Sequence, residues 1–250
     1  MLLSGVEGVM GLGHPHTEAA FLFPRWSGDM LDCFTARQSI LLALRSRLWE
    51  VEGTVLDIGC GYMPYKPLFL AAPSRATRYV GLDLVGPIYK ASPDVVWDGL
   101  AMPFGDRTID CAIATEVFEH CPDPEIVMRE ACRVLKPDGW LFFTVPFLWP
   151  LHDVPHDHYR YTPFALERHL RRAGFGRLEL AALGGWDASL GQMIGLWARR
   201  RPMAGWKRSV LSTMMAPVVR YLVRRDVPPD RFGESCMITG LCGTAYKPRV

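Results

Sequence analysis

The chain has 250 residues, 49% hydrophobic and 22% charged, enough to bury one full core without disulfides or metal. Its net charge of +2 gives no general pull toward nucleic acid, although nine Lys/Arg against two Asp over residues 199–231 leave that segment at +7 and the remainder at −5. Seven cysteines, an odd number with no C-x-x-C pair, argue against a zinc ribbon, a thioredoxin-type motif and a disulfide framework, and fit a reducing cytoplasm.

Residues 1–30 are rich in Gly, Pro and His without period. Residues 1–34 are therefore expected to be irregular and to fold over the site as a lid. The opening MLLSGVEGVMGLG has no basic leader, and Glu7 interrupts its apolar run, so no signal peptide is expected. Residues 35–51 carry Ile40, Leu41, Leu44 and Leu48 at helical spacing.

An alternation follows. Short apolar strands are predicted over 54–58, 78–82, 94–97, 109–114 and 140–145, ending near Gly59, Asp83, Asp98, Thr115-Glu116 and Pro146. Between the fourth and fifth, Asp123-Pro124-Glu125 opens a helix that Lys136-Pro137-Asp138-Gly139 stops. A helix over 163–173, a strand near 177–182 and a last strand near 237–246 complete the set. The pattern predicts an α/β fold, a doubly wound, mostly parallel seven-stranded sheet with polar residues at the strand ends where such sheets bind ligands.

A core over 35–185 and 233–250 is interrupted by residues 186–232, a helical insertion before the last strand. Its two uncharged helical stretches, 188–198 and 209–219, have 11 residues each, against about 20 for a membrane span. Pro217 in the second predicts a kink or two shorter helices.

Residues 54–65 carry the cofactor chemistry. In Val55-Leu56-Asp57-Ile58-Gly59-Cys60-Gly61 a strand runs into a glycine turn that lets backbone approach a ligand. Asp83 then ends the next strand, and a carboxylate there suits paired ribose hydroxyls. A dinucleotide fingerprint would need a third glycine at position 64, which is proline.

With VLDIGCG (55–61), YVGLDL (79–84), Asp98, DCAIATEVFEH (110–120) and RVLKPDGWLFFTVP (133–146) in order, the chain resembles the class I S-adenosylmethionine-dependent methyltransferases, type 11 group. The resemblance implies S-adenosyl-L-methionine as cofactor. Asp57, Gly59, Cys60 and Gly61 would line its methionine portion, Asp83 and Leu84 its ribose, and Asp98, Gly99 and Leu100 its adenine. Thr115 and Glu116 would border the reaction centre. Met63 replaces the usual third glycine, so the loop is expected to turn differently.

Residues 151–163, LHDVPHDHYRYTP, follow the fifth strand and resemble a PHD-x-Y-R-x-T stretch in a bacterial subset of the same methyltransferases. No metal is expected there, because a Pro-containing loop lacks a helix to present ligands and Arg160 opposes a cation. A hydroxyl acceptor needs a base, and imidazole suits that role near neutral pH. His156 or His158 is the candidate, oriented by Asp157 or Glu116. Tyr159 and Arg160 either contact the acceptor or brace the loop, and His120 either reaches the site or holds its turn.

The acceptor class implied is a small molecule, a sugar or a lipid-linked glycan, with methylation at oxygen. Nucleic acid is disfavoured, since Thr115-Glu116 is not a base-gripping proline–aromatic pair. The insertion, with aromatics and methionines between basic clusters, reads as a substrate cap or as a pair of helices lying on an anionic membrane at its inner face. The rival function is a catalytically idle cofactor-binding module that docks a partner or membrane through this insertion.

Overall fold

The computed structural model describes residues 18–84 and 92–249. Most of the segment expected to form a lid, residues 1–17, lies outside the described residues. Within 18–34 the irregular expectation is corrected. A short helix α1 (Glu18–Leu22) and a 3-10 turn at Gly28–Met30 precede α2 (Phe34–Arg47).

The core strands are β1 (Glu52–Ile58), β2 (Arg75–Leu84), β3 (Val95–Trp97), β4 (Ile109–Thr115), β5 (Leu135–Pro146), β6 (Leu178–Ala182) and β7 (Gly240–Tyr246), in sheet order β3-β2-β1-β4-β5-β7-β6. All neighbours from β3 to β5 are parallel, and β7 is antiparallel to both β5 and β6. The helices are α3 (Lys66–Phe69) after the glycine turn, α4 (Pro124–Val134), α5 (Pro163–Arg172), and then α6 (Trp186–Arg200) and α7 (Gly205–Arg225) between β6 and β7.

Strand residues split by parity between two apolar layers, as the period of two requires. Leu56, Ile58, Val80, Leu82, Ala112, Ala114, Leu141 and Phe143 pack with Val127, Met128 and Ala131 of α4 and Leu166 and Leu170 of α5. Val55, Tyr79, Cys111, Ile113, Trp140 and Phe142 pack instead with Ile40, Leu41 and Leu44 of α2. Both sheet faces are thus covered, and the strands read as near-continuous apolar runs.

Three local expectations change. Asp123 stands at the N-cap of α4 without a side-chain cap bond, so Pro124 at the first helical position sets that start; Thr162 does cap α5, accepting from the Ala165 amide. The stop signal at 136–139 lies inside β5, which begins at Leu135 because Leu135 pairs with Ile109 across a register shift. Pro217 does not divide α7, which continues as one 21-residue helix. Pro217 and Thr213, whose carbonyl loses its partner, are both exposed, where solvent can serve that carbonyl.

The N-terminal segment docks on the inserted helices. Asp32, buried, pairs with Arg200 at 2.6 Å, and Asp29 pairs with the buried Arg199 at 3.1 Å. A Cβ at Gly195 of α6 would collide with the Leu31 carbonyl oxygen. Gly195→Ala is therefore expected to destabilise the protein by about 1–3 kcal/mol through overpacking, read as a lower urea midpoint. An unchanged midpoint would show that this contact yields without cost.

Candidate active site

The glycine turn leaves β1 inside the sheet, between β2 and β4. Gly59 (φ 66°) and Gly61 (φ 48°) are both left-handed, a region glycine enters without steric cost. The Gly59 amide donates to the Leu82 carbonyl at 2.8 Å. A Cβ at Gly59 would lie 2.6 Å from Val117 Cγ2, whereas one at Gly61 would meet nothing within 4 Å. Gly61 is therefore the point at which the turn presents bare backbone to open space.

Met63 keeps a backbone conformation that glycine ordinarily adopts. It holds a left-handed φ of 52°, strained for a side chain of this kind. Its side chain packs over Gly81, where a Cβ would lie 2.5 Å from Met63 Sδ and 2.8 Å from Cys60 Sγ. Gly81 on β2 thus makes the room that Met63 occupies. Cys60 turns its thiol into this packing, so only its backbone faces the turn's outer side.

Asp83 Oδ2 accepts from the Gly61 amide at 2.8 Å, and Oδ1 from the Leu84 amide at 2.8 Å. Asp57 lies beneath the turn, buried, where the Tyr79 hydroxyl donates to its Oδ2 at 2.6 Å. Burial pushes the Asp57 carboxyl up to about 7; the Tyr79 hydrogen bond opposes that rise and the charge of Asp83 adds to it.

At the end of β3, Asp98 Oδ1 accepts from the amides of Leu100 (2.8 Å) and Ala101 (3.0 Å), which hold its carboxyl below the usual range. Gly99 (φ 82°) makes the turn between them. A cleft of about 650 Å³ opens here, lined by Leu84, Val96, Trp97, Asp98, Ala101 and Pro103.

At the end of β4, Glu116 is a left-handed non-glycine residue (φ 55°) whose amide donates to the Thr144 carbonyl at 3.0 Å and the Thr144 hydroxyl at 3.2 Å. Its Oε1 is buried without a hydrogen-bond partner among the described residues. Burial pushes this carboxyl up to about 7, against the Thr144 hydroxyl and Arg160.

The loop after β5 is held by an ion pair. Asp157, with its side chain 2% exposed, accepts from Arg160 through both oxygens (2.6 and 2.8 Å) and from the His152 amide at 3.1 Å. Arg160 also donates to the carbonyls of Trp149 and Pro150. The guanidinium holds the Asp157 carboxyl down at about 2. The orienting role expected of Asp157 is therefore corrected: its oxygens are spent on Arg160 and His152, not on the imidazole of His156 or His158, both of which are exposed.

Tyr159 and Arg160 both make bracing bonds in this loop. The Tyr159 hydroxyl donates to the Pro122 carbonyl at 2.9 Å, and the amides of His158 and Tyr159 donate to the Glu119 carbonyl at 2.8 and 3.2 Å. His120 joins the same staple, with Nδ1 3.0 Å from the His156 carbonyl oxygen. Glu119, wholly buried beside these groups, is a residue the sequence pattern did not single out. The only sequence signal for it is the E-x-x-E-H spacing that directly follows β4.

A family model described as a methyltransferase domain matches residues 34–180. An uncharacterised methyltransferase of Mycobacterium sp. (strain JLS) is 32% identical over 205 residues, 73% of this chain and 79% of that protein. One from Mycolicibacterium paratuberculosis is 30% identical over 193 residues, covering 68% and 74%. Among solved structures, an S-adenosylmethionine-dependent methyltransferase from Thermotoga maritima matches with a TM-score of 0.52 at 16% identity, over 84% of this chain and 88% of that one. Another, from Mesorhizobium loti, matches with a TM-score of 0.51 at 16% identity, over 84% and 98%.

The buried Asp57 carboxyl makes a pH prediction. Its folded-state pKa of about 7 lies above the ordinary value of 3.8, so between those limits the folded state holds a proton that the unfolded state has released. Its contribution to stability is complete below about pH 4 and is lost as pH rises through 7. Asp57→Asn, which keeps an acceptor for Tyr79, should flatten that part of the decline in urea midpoints measured from pH 5 to 8. An unaltered slope would remove Asp57 as its source.

Proposed function

The chain belongs to the methyltransferase-domain family, and we propose that it methylates a hydroxyl of a small-molecule, sugar or lipid-linked acceptor. The carrying observation is the left-handed Gly59 to Gly61 turn, open at Gly61, with the Asp83 carboxylate and the cleft beside Leu84 at the neighbouring strand ends.

These residues fit S-adenosylmethionine, the cofactor of the family. Asp83 would hold the ribose hydroxyls with its two acceptor oxygens. Leu84, Trp97 and Leu100 offer apolar surface to the adenine beside Asp98, and Gly61 lets the methionine portion approach backbone. When bound, the cofactor supplies an electrophilic methyl group on a sulfonium sulfur.

The chain's own part is to position an acceptor and to take its proton. His156 is the proposed base, because it is exposed on a loop that Arg160 and Asp157 hold rigid and its backbone is tied to His120. His158 is the alternate base on the same loop. Glu116, with its carboxyl raised to about 7, borders the same region at the end of β4 and is placed to sense the acceptor's charge.

Three measurements test this. S-adenosylhomocysteine should raise the melting temperature of the protein, and Asp83→Ala should weaken its binding at least tenfold. With an accepted substrate, His156→Ala should lower kcat by roughly 10²–10⁴-fold while leaving S-adenosylhomocysteine binding intact. Absence of any stabilisation by S-adenosylmethionine or its product would overturn the reading.

A second reading concerns where the acceptor resides. Trp186, Leu190, Met193 and Trp197 form one exposed apolar stripe along α6, and Arg200 and Arg201 end it. Trp206, Val210, Met214 and Tyr221 are exposed on α7 beside Lys207 and Arg225. No described helix is long and apolar enough to cross a membrane, so this surface suits peripheral docking on anionic lipid. The full chain should float with phosphatidylglycerol/phosphatidylcholine vesicles at low salt, and Met193→Ser/Trp197→Ser should abolish flotation. Equal binding to pure phosphatidylcholine, or none to either, would count against it.

A further inference from the structure

Methyl transfer leaves one cluster, built around the buried Glu119, without a chemical purpose. Glu119 is 0% exposed, and neither of its carboxylate oxygens has a hydrogen-bond partner among the described residues. Its Oε1 lies 3.7 Å from His120 Nε2, and Asp153 Oδ2 lies 4.0 Å from the same nitrogen. The His152 ring sits edge-on to His120 with centroids 4.7 Å apart. One ligand atom each from Glu119, His120 and His152 lie within 4.8 Å of one another.

Tautomer chemistry sharpens this. His120 Nδ1 is 3.0 Å from the His156 carbonyl oxygen, and a carbonyl can only accept. The neutral ring therefore carries its proton on Nδ1 and turns a lone pair at Nε2 toward two carboxylates. With Glu119 ionised, as a metal requires of its ligands, only acceptors converge there among the described residues. A proton on Nε2 would not resolve it, since 3.7 and 4.0 Å are too long for hydrogen bonds. A cation would, because metal–ligand bonds of about 2.1 Å place neighbouring donors roughly 3–3.5 Å apart, a small closure from the separations present.

The surroundings are those of a metal site. His120 has an outer partner in the His156 carbonyl, and the Asp157 carboxylate lies 3.2 Å from His152 Nδ1 without a hydrogen bond to it. The two objections raised by the sequence also fall away. Glu119 and His120 lie in the 3-10 turn Phe118–His120, which the His158 and Tyr159 amides pin through the Glu119 carbonyl. Arg160 is neutralised by its two-point pairing with Asp157, so its charge no longer opposes a cation.

We propose that Glu119, His120 and His152 bind one first-row divalent cation, with Asp153 closing on it as a fourth ligand. Two imidazoles with carboxylates suit Zn²⁺ or Mn²⁺ rather than the all-oxygen shells of Ca²⁺. Glu119 stands three residues beyond Glu116, so the cation lies beside the reaction region. There its remaining positions suit an oxygen of the acceptor, lowering that hydroxyl's pKa. This last role rests on the methyltransferase reading; the binding site itself does not.

The test uses the full chain stripped with chelator, titrated with ZnCl₂ and with MnCl₂ by calorimetry, and with Mn²⁺ by electron paramagnetic resonance. The expected result is one ion per chain, with affinity reduced at least tenfold in Glu119→Gln and His152→Asn. Cys236→Ser and His158→Ala should bind as the unaltered chain does. Should a ligand variant fail to fold, broadening of the His120 and His152 ring signals by substoichiometric Mn²⁺ in the unaltered chain decides the same question. No bound ion, or binding that survives both ligand substitutions, overturns the proposal. Metal binding without stabilisation by S-adenosylhomocysteine would sink the methyltransferase reading alone.

Discussion

β1 is hydrogen-bonded on both sides to parallel neighbours, β2 and β4, and this forces the residues that end all three strands to one edge of the sheet. The chain leaves β1 toward β2 on one side and reaches β4 on the other, so a crevice opens between diverging connections. Gly59, Asp83 and Glu116 share that edge for this reason alone. Left-handed backbone gathers there too, at Gly59, Gly61, Met63 and Glu116. Two of these carry side chains, and strain of about 1–3 kcal/mol each persists because the strands beneath are buried on both faces and cannot shift to relieve it.

The second organising element is electrostatic. Three carboxylates, Glu116, Glu119 and Asp157, have side chains withdrawn from solvent behind the edge of β4, and Arg160 is the guanidinium that acts on all of them. Of the three carboxylates it hydrogen-bonds only Asp157. That choice divides the group. Asp157 is held down and charged as a brace, while burial raises Glu116 against the Thr144 hydroxyl and Arg160, and raises Glu119 against a backbone hydrogen bond and the field of Arg160. An acid that is paired and two that are not, within one short stretch of structure, is an arrangement that stability alone does not favour.

What was legible in the sequence follows from range. The strands could be read because parallel strands covered on both faces become apolar runs, and the polar residues at their ends mark where burial stops. The α4 and α5 helices announce themselves through Pro124 and Thr162 with Pro163. The packing of Met63 was not legible because it is remote: Gly81 lies on the next strand, and nothing local to the turn reports the space it leaves. Asp157 misled for a related reason. Spacing from Arg160 permits an ion pair, but only the folded loop shows that both oxygens are consumed by it. Glu119 was overlooked because an acidic residue in a turn ordinarily faces water, and here the loop carrying His158 and Tyr159 closes over it.

The inserted helices invert the usual amphipathic pattern. The buried face of α6 is made largely of small residues, Ala188, Ser189, Gly191 and Gly195, and its outer face of Trp186, Leu190, Met193 and Trp197. Small inward residues let α7 and the N-terminal segment approach closely, as the Leu31 carbonyl does at Gly195, but they contribute little apolar area to the core. The large side chains are left in water, where a helix serving the fold alone would have placed charge. Gln192 of the same helix donates to the Leu148 carbonyl at 2.7 Å, just ahead of the loop that carries His152 and His156. A ligand or surface that covers the outer stripe would therefore act on an element already bonded to the segment leading into the candidate site.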